Sequence, residues 1–203
     1  MEILLGLFIG VGLSAACGFR VFVPLFIVSL GAHSGHVALA PGFGWIGTTP
    51  ALVAFGAATL CEVVGFLVPW LDHGLDVLAA PLAIVAGTVL TASFISDMSP
   101  FLRWTLAAIA GGGIAGGAHA AMAASRYAST ATTGGLGNPF FSLAEGLASL
   151  GMSLLALFLP AVAVIVAVCL FIYALTVLLR RSRRAFGGSS GTTKPAGLDP
   201  EFR

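Results

Sequence analysis

Residues 3–30 read ILLGLFIGVGLSAACGFRVFVPLFIVSL, and this stretch decides the fold class. It holds a single charge, Arg20. It exceeds the roughly 20 apolar residues that a helix needs to cross the hydrocarbon core of a bilayer. No basic segment precedes it and it continues past Arg20 to Leu30, so it reads as a retained span and not a cleaved signal peptide. Gly10, Gly12, Gly18 and Pro24 offer break points along it. The rest of the chain has the same character. Of 203 residues, 58% are hydrophobic and only 8% charged, and the mean hydropathy is +1.05. Soluble domains carry about 25% charged residues. The composition excludes an ordinary soluble globule, a disordered chain and a secreted disulfide scaffold. A net charge of +1 gives no basic field for nucleic acid, so no such partner is expected.

Five further apolar runs follow, at about 50–70, 77–96, 101–126, 139–159 and 160–180. The expected fold is therefore an all-α membrane bundle of about six transmembrane helices. Pro160 marks either a tight hairpin or a kink in one long helix, and the kink would leave five spans. Thr49-Pro50, Ser99-Pro100 and Asn138-Pro139 each place a capping side chain before a proline, a strong helix-start signal. The run RRSRR at 180–184 puts the end of the last span in the cytoplasm. Six spans then put the N-terminus there too, and the 31–49 loop with His33 and His36 on the other side. Residues 1–184 form the helical domain, and 185–203, rich in Gly, Ser and Thr, read as a flexible cytoplasmic tail. Cys17, Cys61 and Cys169 lie far apart inside apolar runs and read as inert packing, not as a disulfide or metal set.

The chain also divides near residue 97 into candidate repeats, 1–97 and 98–184. Each opens with a Gly-rich helix ending near an arginine, Arg20 or Arg126, and continues with a Pro-initiated helix carrying one glutamate, Glu62 or Glu145. Each of those second helices ends at a proline, Pro69 or Pro160. Three spans per half would make the halves inverted, a plan common in transporters. The register is imperfect: aligning Pro50 with Pro139 leaves the glutamates six residues out of step.

So few charges can be weighed singly. An arginine deep in a bilayer costs at least ~2.5–3.5 kcal/mol, so Arg20 calls for a carboxylate, a wet cavity or a bound anion. Gly12, Ala16 and Arg20 share one helix face, where another backbone can approach. Glu62 lies about 18 Å past Pro50, and Glu145 about 9 Å past Pro139. Each either pairs with an arginine and locks the bundle, or holds a proton or cation and serves coupling. His119, Met122 and Arg126 share a face, which makes His119 a candidate proton relay or a hydrogen-bonded packing residue. Asn138 closes TTGGLGNP, a glycine-rich lead into a helix that suits either an anion or a tight connection. Asp72, His73 and Asp76 form a weak metal candidate beside the simpler reading of acids at a helix start. No GxSxG, HExxH, paired CxxC or dinucleotide motif occurs, so neither an enzyme nor a cofactor is expected.

Four segments together carry a resemblance: SAACGFRVFVP at 14–24, CEVVGFLVPWLDHGLD at 61–76, HAAMAASR at 119–126 and GGLGNPFFSLAEG at 134–146. They resemble a bacterial membrane family, domain of unknown function 4126, over most of residues 5–175. GFR, LDHxLD and GNPxxSxxE are its most specific elements. The family pattern commonly has a lysine where this chain has Met122 and an acid where it has Gly146. The resemblance implies a multi-pass protein of the bacterial cytoplasmic (inner) membrane and names residues to watch, with no activity attached.

The leading expectation is a small membrane transporter or channel for an ion or small solute. Its midplane site would contain Arg20, Glu62, Glu145, His119, Arg126 and Asn138, and its small size favours a homo-oligomer within the lipid bilayer. The alternative is a non-catalytic membrane subunit or scaffold that packs against a larger membrane complex.

Overall fold

The computed structural model of the chain describes residues 2–65, 69–133 and 138–187. Among these residues every regular element is helical. They are α1 (Glu2–Phe19), α2 (Phe22–His33), a 3-10 turn (Gly44–Gly47), α3 (Thr49–Gly65), α4 (Pro69–Phe94), α5 (Pro100–Leu106), a π segment (Ala107–Gly112), α6 (Gly113–Thr133), α7 (Asn138–Phe158) and α8 (Pro160–Gly187). Three stretches are long and apolar enough to cross a membrane: Glu2–Phe19, Pro100–Tyr127 and Phe140–Phe158. Phe22–His33, Thr49–Gly65, Leu78–Phe94 and Pro160–Tyr173 are shorter apolar helices. The expected helix starts are all present, and at Ser99 the hydroxyl accepts the Leu102 N–H at 3.4 Å.

α1 is the axis of the bundle, packed among α4, α6, α7 and α8. Small residues let it sit there. Gly6 lies on the Phe94 carbonyl at the end of α4, Gly10 on Thr91, and Ser14 donates to the Gly87 carbonyl at 2.8 Å. α1 and α4 are therefore antiparallel. A Cβ on Gly10 would come within 2.6 Å of the Thr91 Cα, so the two backbones touch there because there is no side chain. On the opposite face, Gly12 meets Ala156 of α7 and Ala163 of α8, and the Ser149 hydroxyl of α7 reaches the Ala16 carbonyl at 3.0 Å. This is the close approach expected of the Gly12, Ala16 and Arg20 face.

The first apolar run is not one span. α1 stops at Phe19, and α2 returns toward the end from which α1 came. Just past α2, the Ala40 N–H donates to the Ser93 carbonyl at 2.8 Å, beside the α4 terminus that covers Gly6. Ile9 of α1 and Leu30 of α2 face one cleft with Phe94. Pro24 gives the physical reason: in a continuous helix its ring would collide with the Arg20 carbonyl and leave that carbonyl without its N–H. Begun at Phe22, α2 places Pro24 in its first turn, where no intrahelical N–H is needed. Residues 3–30 thus form an antiparallel helical hairpin with Arg20 and Val21 at its tip.

This reversal corrects the expected topology. The Glu2 end of α1 lies at the same end as the 34–48 loop. That loop is fastened by Ser29 Oγ to the Ile46 carbonyl (2.6 Å) and by the Arg103 guanidinium 5.3 Å over the Phe43 ring. α8 starts beside Gly12 and passes Phe19, so its Gly187 end lies at the far end, opposite Glu2. Pro160 marks a tight hairpin, since α7 approaches the Gly12 level as α8 leaves it. Pro69 and Pro160 stand at the starts of α4 and α8, in keeping with the preference of proline for the first helical position. The first half holds four helical arms, and α1 runs parallel to the α5–α6 helix: Gly18 packs on Ala115 and Ala118, and Phe19 lines a small void with Ser125.

Candidate functional site

A chain reversal inside a bundle leaves two sets of backbone groups to satisfy, and in an apolar surrounding each orphan costs several kcal/mol. The carbonyls at the end of α1 come first. Ala16 receives the Arg20 N–H at 3.1 Å and the Ser149 hydroxyl, which also reaches the Arg20 carbonyl at 3.4 Å. The amides at the start of α2 come second. Glu62 on α3 meets them: Oε1 accepts from Val21 N–H at 2.8 Å and Oε2 from Phe22 N–H at 3.1 Å. A carboxylate over a helix N-terminus is favoured by charge as well as by hydrogen bonding.

Arg20 is the other half of the tip and is only 2% exposed. Its position at the C-terminal end of α1 suits a cation. Its guanidinium donates to the Glu62 main-chain carbonyl at 3.3 Å, to the Ser142 carbonyl at 2.9 Å, and to the Ser142 hydroxyl. The tip thereby ties α3 to α7. Glu62 and Arg20 touch through backbone, while the Glu62 carboxylate stays with the α2 amides.

One turn along α7 from Ser142, Glu145 is 4% exposed and forms a two-pronged ion pair with Arg126 of α6. Arg126 Nε donates to Oε1 at 2.9 Å and Nη2 to Oε2. Arg126 is also within electrostatic reach of Glu62. Among the described residues, Arg20, Glu62, Arg126 and Glu145 therefore lie together as two cations and two anions.

The two glutamates differ in what lies beside them. A cavity of about 190 Å³ borders Glu62, walled by Val21, Phe22, Ala58, Cys61, Leu78, Ala79 and Leu82 from α2, α3 and α4. Its rim residues Cys61, Leu78 and Leu82 are exposed on the outer face of the bundle. Cys61 and Cys169 are thus surface thiols, and of the three cysteines only Cys17 is buried packing. Apart from the carboxylate and the Cys61 thiol, the described wall residues carry apolar side chains.

His119 is buried in α6, where that helix passes Gly18, two turns before Arg126. The Asn138 side chain lies outside the described residues, although its backbone opens α7. The same holds for the side chains of Asp72, His73 and Asp76, whose backbone lies in α4. No group of three metal-ligating side chains occurs among the described residues. Sequence reasoning gave no role to Ser142 and Ser149, or to the Val21 and Phe22 amides. Ser142, Glu145, Ser149 and Ser153 follow one another at helical spacing along an otherwise apolar α7, and that spacing was the available signal.

The family model described as Domain of unknown function (DUF4126) matches residues 7–181. The chain belongs to this family. No curated protein and no solved structure matches it. In this DUF4126 member, the GFR element supplies the hairpin tip, and GNPxxSxxE supplies both the Ser142 contact and the Glu145 half of the ion pair.

Proposed function

We propose that this protein is a small transporter or channel for an ion or small solute, and that its working site is the hairpin tip at Arg20, Val21, Phe22 and Glu62. The carrying observation is the Glu62 carboxylate, which caps α2 inside the bundle and also borders a cavity. Discontinuous helices with half-helix N-termini aimed at a charged group are the usual construction of transporter sites. Proton or cation occupancy of Glu62 would weaken its hold on the Val21 and Phe22 amides and so alter the seating of α2. The protein would sit in the bacterial cytoplasmic membrane as a homo-oligomer with residues 180–184 on the cytoplasmic side, without enzymatic activity.

Purified protein in liposomes, loaded with a pH-sensitive dye and given a pH gradient, tests this reading. Dissipation faster than in protein-free vesicles is expected, falling to their leak rate in Glu62→Gln. Equal flux in wild type and Glu62→Gln would overturn it. The closed Arg126–Glu145 pair favours a second reading, a non-catalytic subunit packed against a larger membrane complex. A stoichiometric large partner in native-membrane purifications would support that reading.

A further inference from the structure

We infer that the cavity beside Glu62 takes a small apolar amine, which takes up the proton of the Glu62 carboxyl and is held as its ammonium. This inference names a substrate class for the site proposed above and rests on that reading. The cavity combines two recognition elements: one carboxylate, and walls of Val21, Phe22, Ala58, Leu78, Ala79 and Leu82. Each Glu62 oxygen accepts one amide N–H, and each retains acceptor capacity for a further donor. An alkylammonium or arylalkylammonium needs a carboxylate for its head and apolar surface for its body. Phe22 adds an aromatic ring of the kind that attracts cations. A cavity of about 150 Å³ accepts a benzene-sized molecule. The volume of about 190 Å³ here suits a ring or short chain with one amino group.

Calcium fits poorly. It takes about six to eight oxygen ligands, and the described wall offers one carboxylate. Among the described residues, the titratable or charged groups near Glu62 are Arg20 and Cys17 at the end of α1, Cys61 on α3 and Arg126 on α6; the described α4 wall residues carry no charge. One carboxyl group holds one proton or pairs with one monovalent ammonium. An incoming neutral amine takes the proton from a protonated Glu62 and stays as the ammonium of an ion pair. The net charge of the cluster is unchanged by that step. The exposed rim at Cys61, Leu78 and Leu82 gives such a molecule a lateral entrance between α3 and α4.

The probe is benzylamine, with benzyl alcohol as its neutral counterpart, acting on the purified full chain. The readout is the rate at which dicyclohexylcarbodiimide, a lipophilic carboxyl reagent, modifies Glu62, measured by mass spectrometry. Benzylamine at about ten times its Kd is expected to slow modification by about tenfold. Benzyl alcohol and sodium chloride should leave the rate unchanged. Ala58→Phe and Leu82→Phe, which fill the cavity from opposite walls, should each abolish the protection. No protection by benzylamine, equal protection by benzyl alcohol, or a Glu62 inert to the reagent would each overturn the inference. The dye-reported proton flux is independent of these outcomes: loss of flux in Glu62→Gln without amine protection removes the amine and keeps the transporter.

Discussion

The Arg126–Glu145 pair and the Arg20–Glu62 tip sit side by side and solve the same problem in opposite ways. At Arg126 the guanidinium and the carboxylate pair directly, with Glu145 buried between α6 and α7. At the tip, the described contacts run largely to backbone. The guanidinium serves the carbonyls of Glu62 and Ser142, and the Glu62 carboxylate serves the amides of Val21 and Phe22. A closed pair holds a structure together. A carboxylate that bonds to amides beside a cavity keeps room for another occupant, and its release changes how a helix end is held. The difference separates a lock from a candidate working site, and it follows from the chain reversal that exposes the α2 amides.

Removing one side of the lock should have the largest effect on stability. Arg126→Ala or Glu145→Ala breaks this ion pair, and each is expected to lower stability by about 3–5 kcal/mol. Replacing both residues with leucine should recover most of that loss. Thermal unfolding in detergent measures it, and single variants no less stable than the wild type would erase the contrast between the two sites.

At the tip the expected balance is reversed. Glu62→Gln keeps one acceptor for the α2 amides and should cost only about 1–3 kcal/mol, while removing flux. A large loss of stability with flux intact would make Glu62 a second lock. Ser149→Ala should have the smallest effect. It removes a hydroxyl from carbonyls that keep other contacts or lie near Arg20, for a loss of about 1 kcal/mol.

Hydropathy made the helical membrane class legible, and scarcity of charge singled out Arg20, Glu62, Arg126 and Glu145. The Gly12, Ala16 and Arg20 face was legible from spacing, and its close approach to α7 follows from residue size. The reversal at Arg20 was not, because one long apolar helix and two antiparallel arms share the same hydropathy. Pro24 marked the break, but the groups that stabilise a turn there, Glu62 and Ser149, lie on α3 and α7, far along the chain. Which glutamate belongs to which arginine is likewise a tertiary matter. Charge counting allows Arg20 to pair with either, and packing gives Glu145 to Arg126.

The hairpin itself is open to direct test through the sides on which its ends emerge. A single cysteine placed at Glu2, and another placed at Ser190, in a chain whose native cysteines are replaced by alanine, can be probed in sealed membranes with an impermeant maleimide. The antiparallel α1–α2 arrangement requires the two positions to react from opposite sides. Reaction of both from the same side would mean that residues 3–30 cross once, that the α2 amides are not presented at a tip, and that Glu62 has nothing there to hold.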